Sequence, residues 1–474
     1  MKTFLQPLQG LAEIEEIEKQ AKKNHGILEV SGCIESQKAH LMYGLSGLFP
    51  CHLVIAADEK SAKELYEDYR FYDKRVYYYP AKDLLFFQAD IHGNLLIRQR
   101  MQVIRALLER EGEITVVTSI DGCMDYLAPL EKIEKQLIHF RNDSTLDMDK
   151  LTAALVHMGY ERVGQVEMPG QFSIRGGIID IYSLTEENPW RIELWGDEID
   201  SIRSFDAQSQ RSLENLDDVT IYPAAEQPME KNGVSFLDYF KETETLFFLD
   251  ELNHLEENAK AVQEEFQQSC ENRKEKGEIS LSGDWMCTWE ELCHKINDRN
   301  CVAMSLLDPK KSNWKISGQF NITVKSMSSY QSSFELLVKD LKQYKKEGYQ
   351  IVLLSGSRTR AERLAKDLQE EGLNAFYGQD SDRVLQPGEI MVAYGHARRG
   401  FEYPLVKFAV ITETDIFGKE QKKRKKKKEY NGKRIQDFSE LSIGDYVVHE
   451  KHGLGIYKGI EKVAVDKVAK DYIK

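Results

Sequence analysis

The strand predicted at Ile27–Ser31 leads into a loop that could bind a nucleotide phosphate. Such a loop needs the pattern G-x-x-x-x-G-K-[S/T], in which backbone amides surround the phosphate and the lysine and hydroxyl serve phosphate and magnesium. The loop here reads GCIESQKA from Gly32 to Ala39, with no second glycine before the lysine and no hydroxyl residue after it. Glu35 also lies where phosphate charge would be. We therefore expect Gly32, Glu35 and Lys38 to form a degenerate, inactive nucleotide loop.

Two other residue pairs could carry chemistry. Asp250 and Glu251 end an apolar strand, as a magnesium-binding Asp and a catalytic Glu would in such an ATPase. Without a competent phosphate loop, we expect the pair to be a helix N-cap followed by an acid in the first turn. His449 and His452 have no Cys or third ligand nearby, so a structural role is favoured over metal binding. We predict no catalytic residue, no metal site and no cofactor in this chain.

A strand predicted at Arg191–Trp195 alternates in a way that favours recognition of another protein. With a period of two, Arg191, Glu193 and Trp195 share one face, while the intervening residues point to the other. Arg175, just before a Gly-Gly turn, belongs to the same predicted sheet. Arg and Trp together are typical of interaction hot spots. A tryptophan that covers a small core explains the pattern equally well, and both interpretations stay open at this point.

The charge of the chain is unevenly distributed. The net charge is −14, although residues 422–428 form an uninterrupted run of seven basic residues. The rest of the chain is therefore still more acidic and should repel a phosphate backbone, which favours proteins as partners. The basic run is most simply a solvated linker, with nonspecific DNA contact through Lys422, Lys423, Arg424 and Lys425 as the alternative.

The order of predicted elements indicates several domains. Alternating strands and helices over 1–125 predict a parallel sheet covered by helices. Closely spaced strands with one helix over 126–222 predict an inserted antiparallel α+β domain, after which the first sheet resumes over 223–310. A linker (311–345), a second α/β domain (346–420) and a basic linker (421–440) follow. Within the inserted domain the expected strands are Gln165–Met168, Gln171–Arg175, Ile178–Tyr182, Arg191–Trp195 and Glu198–Phe205.

The last predicted domain, 441–474, starts with Gly444–Ile460, whose alternation around glycine turns is typical of a small bent β-barrel. Such a barrel needs more strands than fit before Lys474, so we expect Val463–Ile473 to be an unpaired edge strand of a truncated module. We interpret the chain as the N-terminal portion of a larger protein. Seven scattered cysteines without a Cys-x-x-Cys pair, and no apolar run long enough to span a bilayer, predict a cytoplasmic protein with reduced thiols.

Three segments resemble a known family. Met158–Tyr182 and Arg191–Asp206 are similar to the domain that excinuclease B shares with the bacterial transcription-repair coupling factors. Gly444–Ile460 resembles the start of the RNA-polymerase-interacting domain of the coupling factors, a Tudor-like barrel. The two matches in this order are specific to the coupling factors. The resemblance implies an α/β multidomain protein: a degenerate P-loop-like parallel sheet interrupted by the inserted antiparallel α+β domain, a second α/β domain and a truncated Tudor-like β-barrel.

The resemblance also implies partners and site residues. The contacts of the family to excinuclease A fall on Arg175, Arg191 and Trp195, and the contact to the RNA polymerase β subunit falls on an edge strand around Val463. The parent protein would use ATP and Mg²⁺ in a DNA-translocating motor that lies outside this chain, and it would contact DNA through that motor. An excinuclease-B-like or helicase-like DNA-binding ATPase is the alternative, and an adaptor that never carried a motor is a third possibility.

Overall fold

The computed structural model describes residues 1–23, 26–82, 94–226, 233–275, 286–307, 314–378, 382–418, 444–449, 453–465 and 468–473. Strands are numbered β1–β27 and helices α1–α12 in chain order. Within these ranges, no helix is both long enough and apolar enough to cross a bilayer.

The largest sheet among the described residues has seven strands, and every neighbouring pair is parallel. In spatial order its strands are β17 (Ile316–Asn321), β1 (Gly26–Ser31), β16 (Asn300–Ser305), β15 (Thr245–Asp250), β2 (Cys51–Ala56), β4 (Ile114–Ser119) and β3 (Val76–Tyr79). Strands β15 and β16 lie at the centre of the sheet although they come more than 100 residues after β4. The chain therefore leaves this sheet and returns to it, in the order that the sequence predicts.

Helices cover both faces of the seven-stranded sheet, because its central strands are apolar on both sides. One face packs on α1 (Lys2–Gln9), α2 (Ala12–Ala21), α3 (Glu35–Leu45) and α4 (Glu59–Tyr69). The other face packs on α5 (Asn94–Glu109), α8 (Leu252–Glu275) and α9 (Trp289–Asn297). Short 3₁₀ helices span Ser46–Leu48, Asp121–Cys123 and Phe236–Tyr239, and β5 (Tyr126–Leu127) pairs with β14 (Val234–Ser235).

A six-stranded, mainly antiparallel sheet occupies the interruption. Its strands in spatial order are β12 (Ser212–Leu216), β11 (Glu198–Phe205), β10 (Trp190–Trp195), β9 (Ile178–Ile181), β8 (Gln171–Arg175) and β7 (Glu161–Arg162). Its inner face packs on α7 (Met148–His157) and on the pair of β6 (Ile138–Arg141) with β13 (Asp218–Ile221), and α6 (Leu130–Glu134) precedes them. Because only one face is buried, the strands alternate between apolar and polar residues.

A second α/β unit is built on another six-stranded sheet. Its strands in spatial order are β18 (Lys325–Ser326), β22 (Phe401–Tyr403), β23 (Phe408–Thr412), β19 (Gln350–Ser355), β21 (Glu389–Tyr394) and β20 (Asn374–Tyr377), and its helices are α10 (Phe334–Glu347), α11 (Arg358–Glu370) and α12 (Glu413–Phe417). Two hairpins follow near the C-terminus: β24 (Tyr446–His449) with β25 (Gly453–Ile456), and β26 (Ile460–Val465) with β27 (Val468–Ile473).

The two α/β units share one hydrophobic core, which extends from α1–α4 to β22 and β23. Polar contacts cross the same boundary. The Gln37 side chain donates to the Tyr403 hydroxyl (2.9 Å), and the Arg398 guanidinium donates to the buried Asp68 carboxylate (2.9 Å). Helix α3, whose first turn contains Glu35 and Lys38, therefore supports both units.

Three predictions about elements are wrong. Gln165–Met168 is not a strand, because the Glu167 and Met168 amides donate to the Gln171 side chain instead of to a strand partner. The segment 311–345 is not simply a linker, since it contributes β17 to the first sheet and most of α10. Val463–Ile473 is not one edge strand, because it folds back as the hairpin of β26 and β27. The other assigned domain boundaries stay predictions.

Candidate docking surface on the inserted sheet

The outer face of the six-stranded sheet is defined by strand register. Arg191 on β10 lies opposite Asp180 on β9 and opposite Arg203 on β11, and Asp180 also lies opposite Ser173 on β8. Directly opposed residues of antiparallel strands point to the same face. Arg175, Glu193 and Trp195 follow on this face by their period of two. We call this set the outer face: Ser173, Arg175, Asp180, Arg191, Glu193, Trp195 and Arg203.

Asp180 connects the two arginines that the sequence predicts. Its carboxylate is 1% exposed and accepts hydrogen bonds from Arg191 Nε (2.7 Å), Arg191 Nη2 (2.9 Å) and Arg175 Nη2 (2.7 Å). All three hydrogen bonds are charge-assisted. The two from Arg191 form a bidentate contact, which is the strongest form of an arginine–carboxylate interaction. The hydrogen bonds to Asp180 also raise the pKa of Arg191. The two arginines are therefore held by one buried anion.

The two arginines differ in how much they expose. Arg191 is only 16% exposed, donates also to Gln210 Oε1 (3.0 Å), and lies over the Phe205 ring at 4.4 Å. Arg175 is 48% exposed and is bound to Asp180 through a single nitrogen. The guanidinium of Arg175 is therefore the more accessible of the two for a partner carboxylate.

Trp195 lies at the end of β10 and is 82% exposed. It precedes a tight turn in which Gly196 has a φ of +66°, a value that favours glycine. The Leu194 amide donates to the Gly177 carbonyl (2.8 Å), which brings the end of β10 beside the Gly-Gly turn that follows Arg175. The core tryptophan of this domain is Trp190, at 7% exposure. The alternative in which Trp195 covers the core is therefore wrong.

Asp180 is the residue of this surface that the sequence prediction missed. It lies between Ile179 and Ile181, the only acid in strand β9. An acid in a short apolar strand, opposite an arginine in the next strand, is a signal for a buried ion pair. The pairing became recognisable only with the register, because Arg191 lies 11 residues further along the chain.

The Gly32–Lys38 loop lies at the end of β1, as the sequence predicts, but its lysine already has partners. Lys38 Nζ lies 2.6 Å from Asp250 Oδ1 and 2.6 Å from Glu251 Oε1, and its side chain is 8% exposed. Burial lowers the pKa of the Lys38 ammonium, but the two carboxylates outweigh that effect and raise it. The lysine that would bind phosphate is thus neutralised internally.

The helix-capping role predicted for Asp250 is wrong, because its carboxylate binds Lys38 across 212 residues of sequence. Glu251 accepts a second hydrogen bond, from the Leu306 amide (2.9 Å). Glu35 lies 3.6 Å from Arg399 of the second α/β unit. Gly32 has a φ of +80°, and a Cβ there would lie 2.3 Å from the Ile322 carbonyl oxygen, so this position requires glycine.

The remaining predicted site residues lie in the C-terminal part of the chain. Lys422, Lys423, Arg424 and Lys425 fall in 419–443, outside the described residues. Val463 lies in β26 and pairs with Lys470 of β27. In the preceding hairpin, Tyr446 and Ile456 face each other across the strands and are 75% and 47% exposed.

Comparison with known proteins agrees with this architecture. Residues 138–226 match the family described as UvrB interaction domain, and residues 441–474 match the CarD-like/TRCF RID domain. The first match contains the whole outer face.

Relatives that match most of this chain carry the name transcription-repair-coupling factor. The one from Bacillus subtilis (strain 168) is 31% identical over 94% of this chain and 44% of its own length. Those from Staphylococcus haemolyticus (strain JCSC1435) and Staphylococcus epidermidis (strain RP62A) are 27% and 26% identical over 84% and 85% of this chain, and each match covers 39% of the relative. The chain thus spans less than half the length of these relatives. It belongs to the transcription-repair coupling factor family and corresponds to the N-terminal part of its members.

Proposed function

We propose that this chain is the protein-docking part of a transcription-repair coupling factor. The parent protein recognises RNA polymerase stalled at DNA damage, moves it with an ATP-driven motor that contacts DNA, and recruits excinuclease A for nucleotide excision repair. The two matched domains, in this order along one chain, support docking of both partners. The chain itself provides binding surfaces and no motor.

The outer face supports binding of excinuclease A. A large aromatic side chain that is 82% exposed beside a half-exposed arginine is the composition of an interface hot spot. Trp195 would fill an apolar pocket, and Arg175 and Arg191 would pair with carboxylates of the partner. The observation that carries this proposal is the exposure of Trp195 within the segment that matches the UvrB interaction domain.

The test is a binding titration of this chain against purified excinuclease A. Trp195→Ala should weaken binding by about 2 kcal/mol or more, roughly 30-fold, because hot-spot aromatics carry energies of that size. The matched control is Leu213→Ala, which removes another exposed apolar side chain from strand β12 of the same sheet. Equal losses in both variants, or no binding by the wild-type chain, would contradict the proposal.

We also propose that the C-terminal hairpins begin a Tudor-like barrel that binds the RNA polymerase β subunit by β-augmentation. Within the described residues, β26 pairs on one side only, with β27. Backbone N–H groups alternate between the two sides of a strand, so one of Val463 and Ala464 directs its N–H away from β27. Proline at that residue should abolish polymerase binding and preserve the hairpin, whereas proline at its neighbour should disrupt the hairpin. Undiminished polymerase binding by both variants would contradict augmentation at this strand.

We propose that the seven-stranded sheet is a degenerate P-loop-like domain that binds neither ATP nor Mg²⁺. The internal ion pairs of Lys38 support this, because they occupy the cation that would meet a phosphate. Titration with a fluorescent ATP analogue and Mg²⁺ should show no binding. DNA-stimulated ATP turnover that survives Lys38→Ala would mean that the chain contains a motor elsewhere.

Two smaller proposals complete the assignment. The scatter of the seven cysteines along the sequence, without a Cys-x-x-Cys pair, supports a cytoplasmic location. The basic run is proposed as a solvated linker with at most nonspecific, salt-sensitive DNA contact. Neutralising Lys422, Lys423, Arg424 and Lys425 together should leave binding of excinuclease A unchanged.

A further inference from the structure

The outer face contains a buried charge that cannot itself touch a partner. Asp180 is 1% exposed, and both of its oxygens accept hydrogen bonds from arginines of the outer face. One carboxylate between two guanidinium groups leaves a surplus of one positive charge. That surplus is presented mainly by Arg175, because Arg191 is largely buried.

The supports of the two arginines are unequal. Arg191 is held by Asp180, by Gln210 Oε1 and by the Phe205 ring, so loss of one contact leaves two. The Arg175 guanidinium, in contrast, is held by a hydrogen bond from Nη2 to Asp180 Oδ2. The position of the half-exposed guanidinium therefore depends on Asp180 far more than that of Arg191 does.

We propose that Asp180 is a positioning residue of the docking surface, which holds Arg175 beside the turn next to Trp195 so that it can receive a carboxylate of the partner. This inference rests on the proposed binding of excinuclease A. A side chain that is already ordered loses less conformational entropy on binding than a mobile one. Asp180 thus contributes to affinity through Arg175 without joining the interface.

The test is a double-mutant cycle measured as affinity for excinuclease A. Asp180→Asn keeps the shape of the side chain but removes the negative charge that both guanidinium groups contact. If Asp180 acts through Arg175, this change should weaken binding about tenfold or more in the wild-type chain and less than about threefold in the Arg175→Ala background. A purely structural role of Asp180 predicts the same loss in both backgrounds, and that result would overturn the inference.

Two further variants keep the test decisive. Asp180→Glu retains the charge but moves it by one methylene, so this variant should fold even if Asp180→Asn does not. Its loss of affinity should also be larger in the wild-type chain than in the Arg175→Ala background. Gln210→Ala removes a support of Arg191 and none of Arg175, together with the bonds from the Gln210 amide to the Val166 and Ala207 carbonyls, and should change affinity less than about threefold. Near-ultraviolet circular dichroism checks that each variant is folded. If the wild-type chain fails to bind, the proposed function fails together with this inference, whereas equal losses in both backgrounds refute only the role of Asp180.

Discussion

Replacing Lys38 by Met tests whether the Gly32–Lys38 segment contributes to stability. The methionine side chain has nearly the length of lysine but no charge, so Asp250 and Glu251 would lose their common cation. In a working nucleotide site this change would abolish ATP binding and hardly alter the free energy of unfolding. Here we expect the reverse, because the ammonium lies 2.6 Å from both carboxylates in a largely buried position.

The size of the effect follows from burial. Breaking a buried ion pair by removing one partner typically costs about 3–5 kcal/mol, because the other charge stays buried without compensation. Asp250 is 11% exposed and carries most of this cost, whereas Glu251 is 26% exposed and keeps some hydration. We therefore expect a loss near the lower limit, about 3 kcal/mol. Burial already raises the pKa of Asp250, and removal of Lys38 should raise it further, so the folded variant binds a proton more tightly than the unfolded chain. The stability lost through Lys38→Met should consequently shrink as the pH is lowered.

The assay is urea denaturation followed by tryptophan fluorescence, since Trp289 and Trp314 are packed together in the core of the same domain. The control is the triple variant Lys38→Met, Asp250→Asn, Glu251→Gln, in which no charge remains unpaired. It should recover most of the lost stability, as neutral replacements of buried ion pairs often do. A loss below about 1 kcal/mol for Lys38→Met, or a triple variant no better than the single one, would refute the reasoning.

Further predictions concern pH and backbone strain. Burial lowers the pKa of His40 and of His52 to about 4, against about 6.5 in an unfolded chain, so the folded state resists protonation. Their contribution is full above pH 6.5 and declines as the pH falls to 4, by up to roughly 3 kcal/mol per histidine. Urea midpoints measured from pH 4 to 7.5 should fall as the pH is lowered. In His52→Gln the midpoint should depend less steeply on pH, and an unchanged pH dependence would contradict the role of His52. Gly32→Ala should lower the free energy of unfolding by about 2 kcal/mol or more, because φ is positive there and the added Cβ would meet the Ile322 carbonyl. Gly47→Ala should be nearly neutral, because its added Cβ would have no neighbouring atom within 4 Å.

Local patterns predicted many elements accurately. The strands Gln171–Arg175 and Glu198–Phe205 have the bounds that the sequence predicts. The alternation of strands and helices also predicted the parallel sheet. Two of the misses have separate causes: the edge strand β17 contains only two large apolar residues, Ile316 and Phe320, and the Gln171 side chain accepts hydrogen bonds from the amides of a segment with strand-like composition. A tertiary contact, the pairing with β1, places β17 in the sheet, whereas a local side-chain contact outweighs the strand preference of Gln165–Met168.

The amino-acid sequence by itself determined that Arg175, Arg191 and Trp195 are candidates for one exposed face, and that the Gly32–Ala39 segment departs from the phosphate-loop pattern. Each conclusion depends on a feature of a single segment. The first depends on the period of two in β10, and the second on the missing glycine and hydroxyl residue after Gly32. Only the tertiary structure decided the roles of the buried charges. It brings Asp250 to Lys38 across 212 residues and places Asp180 under two arginines of unequal exposure. The physical reason is that a charge is stable in a protein interior only beside its opposite, and packing of distant segments selects that partner.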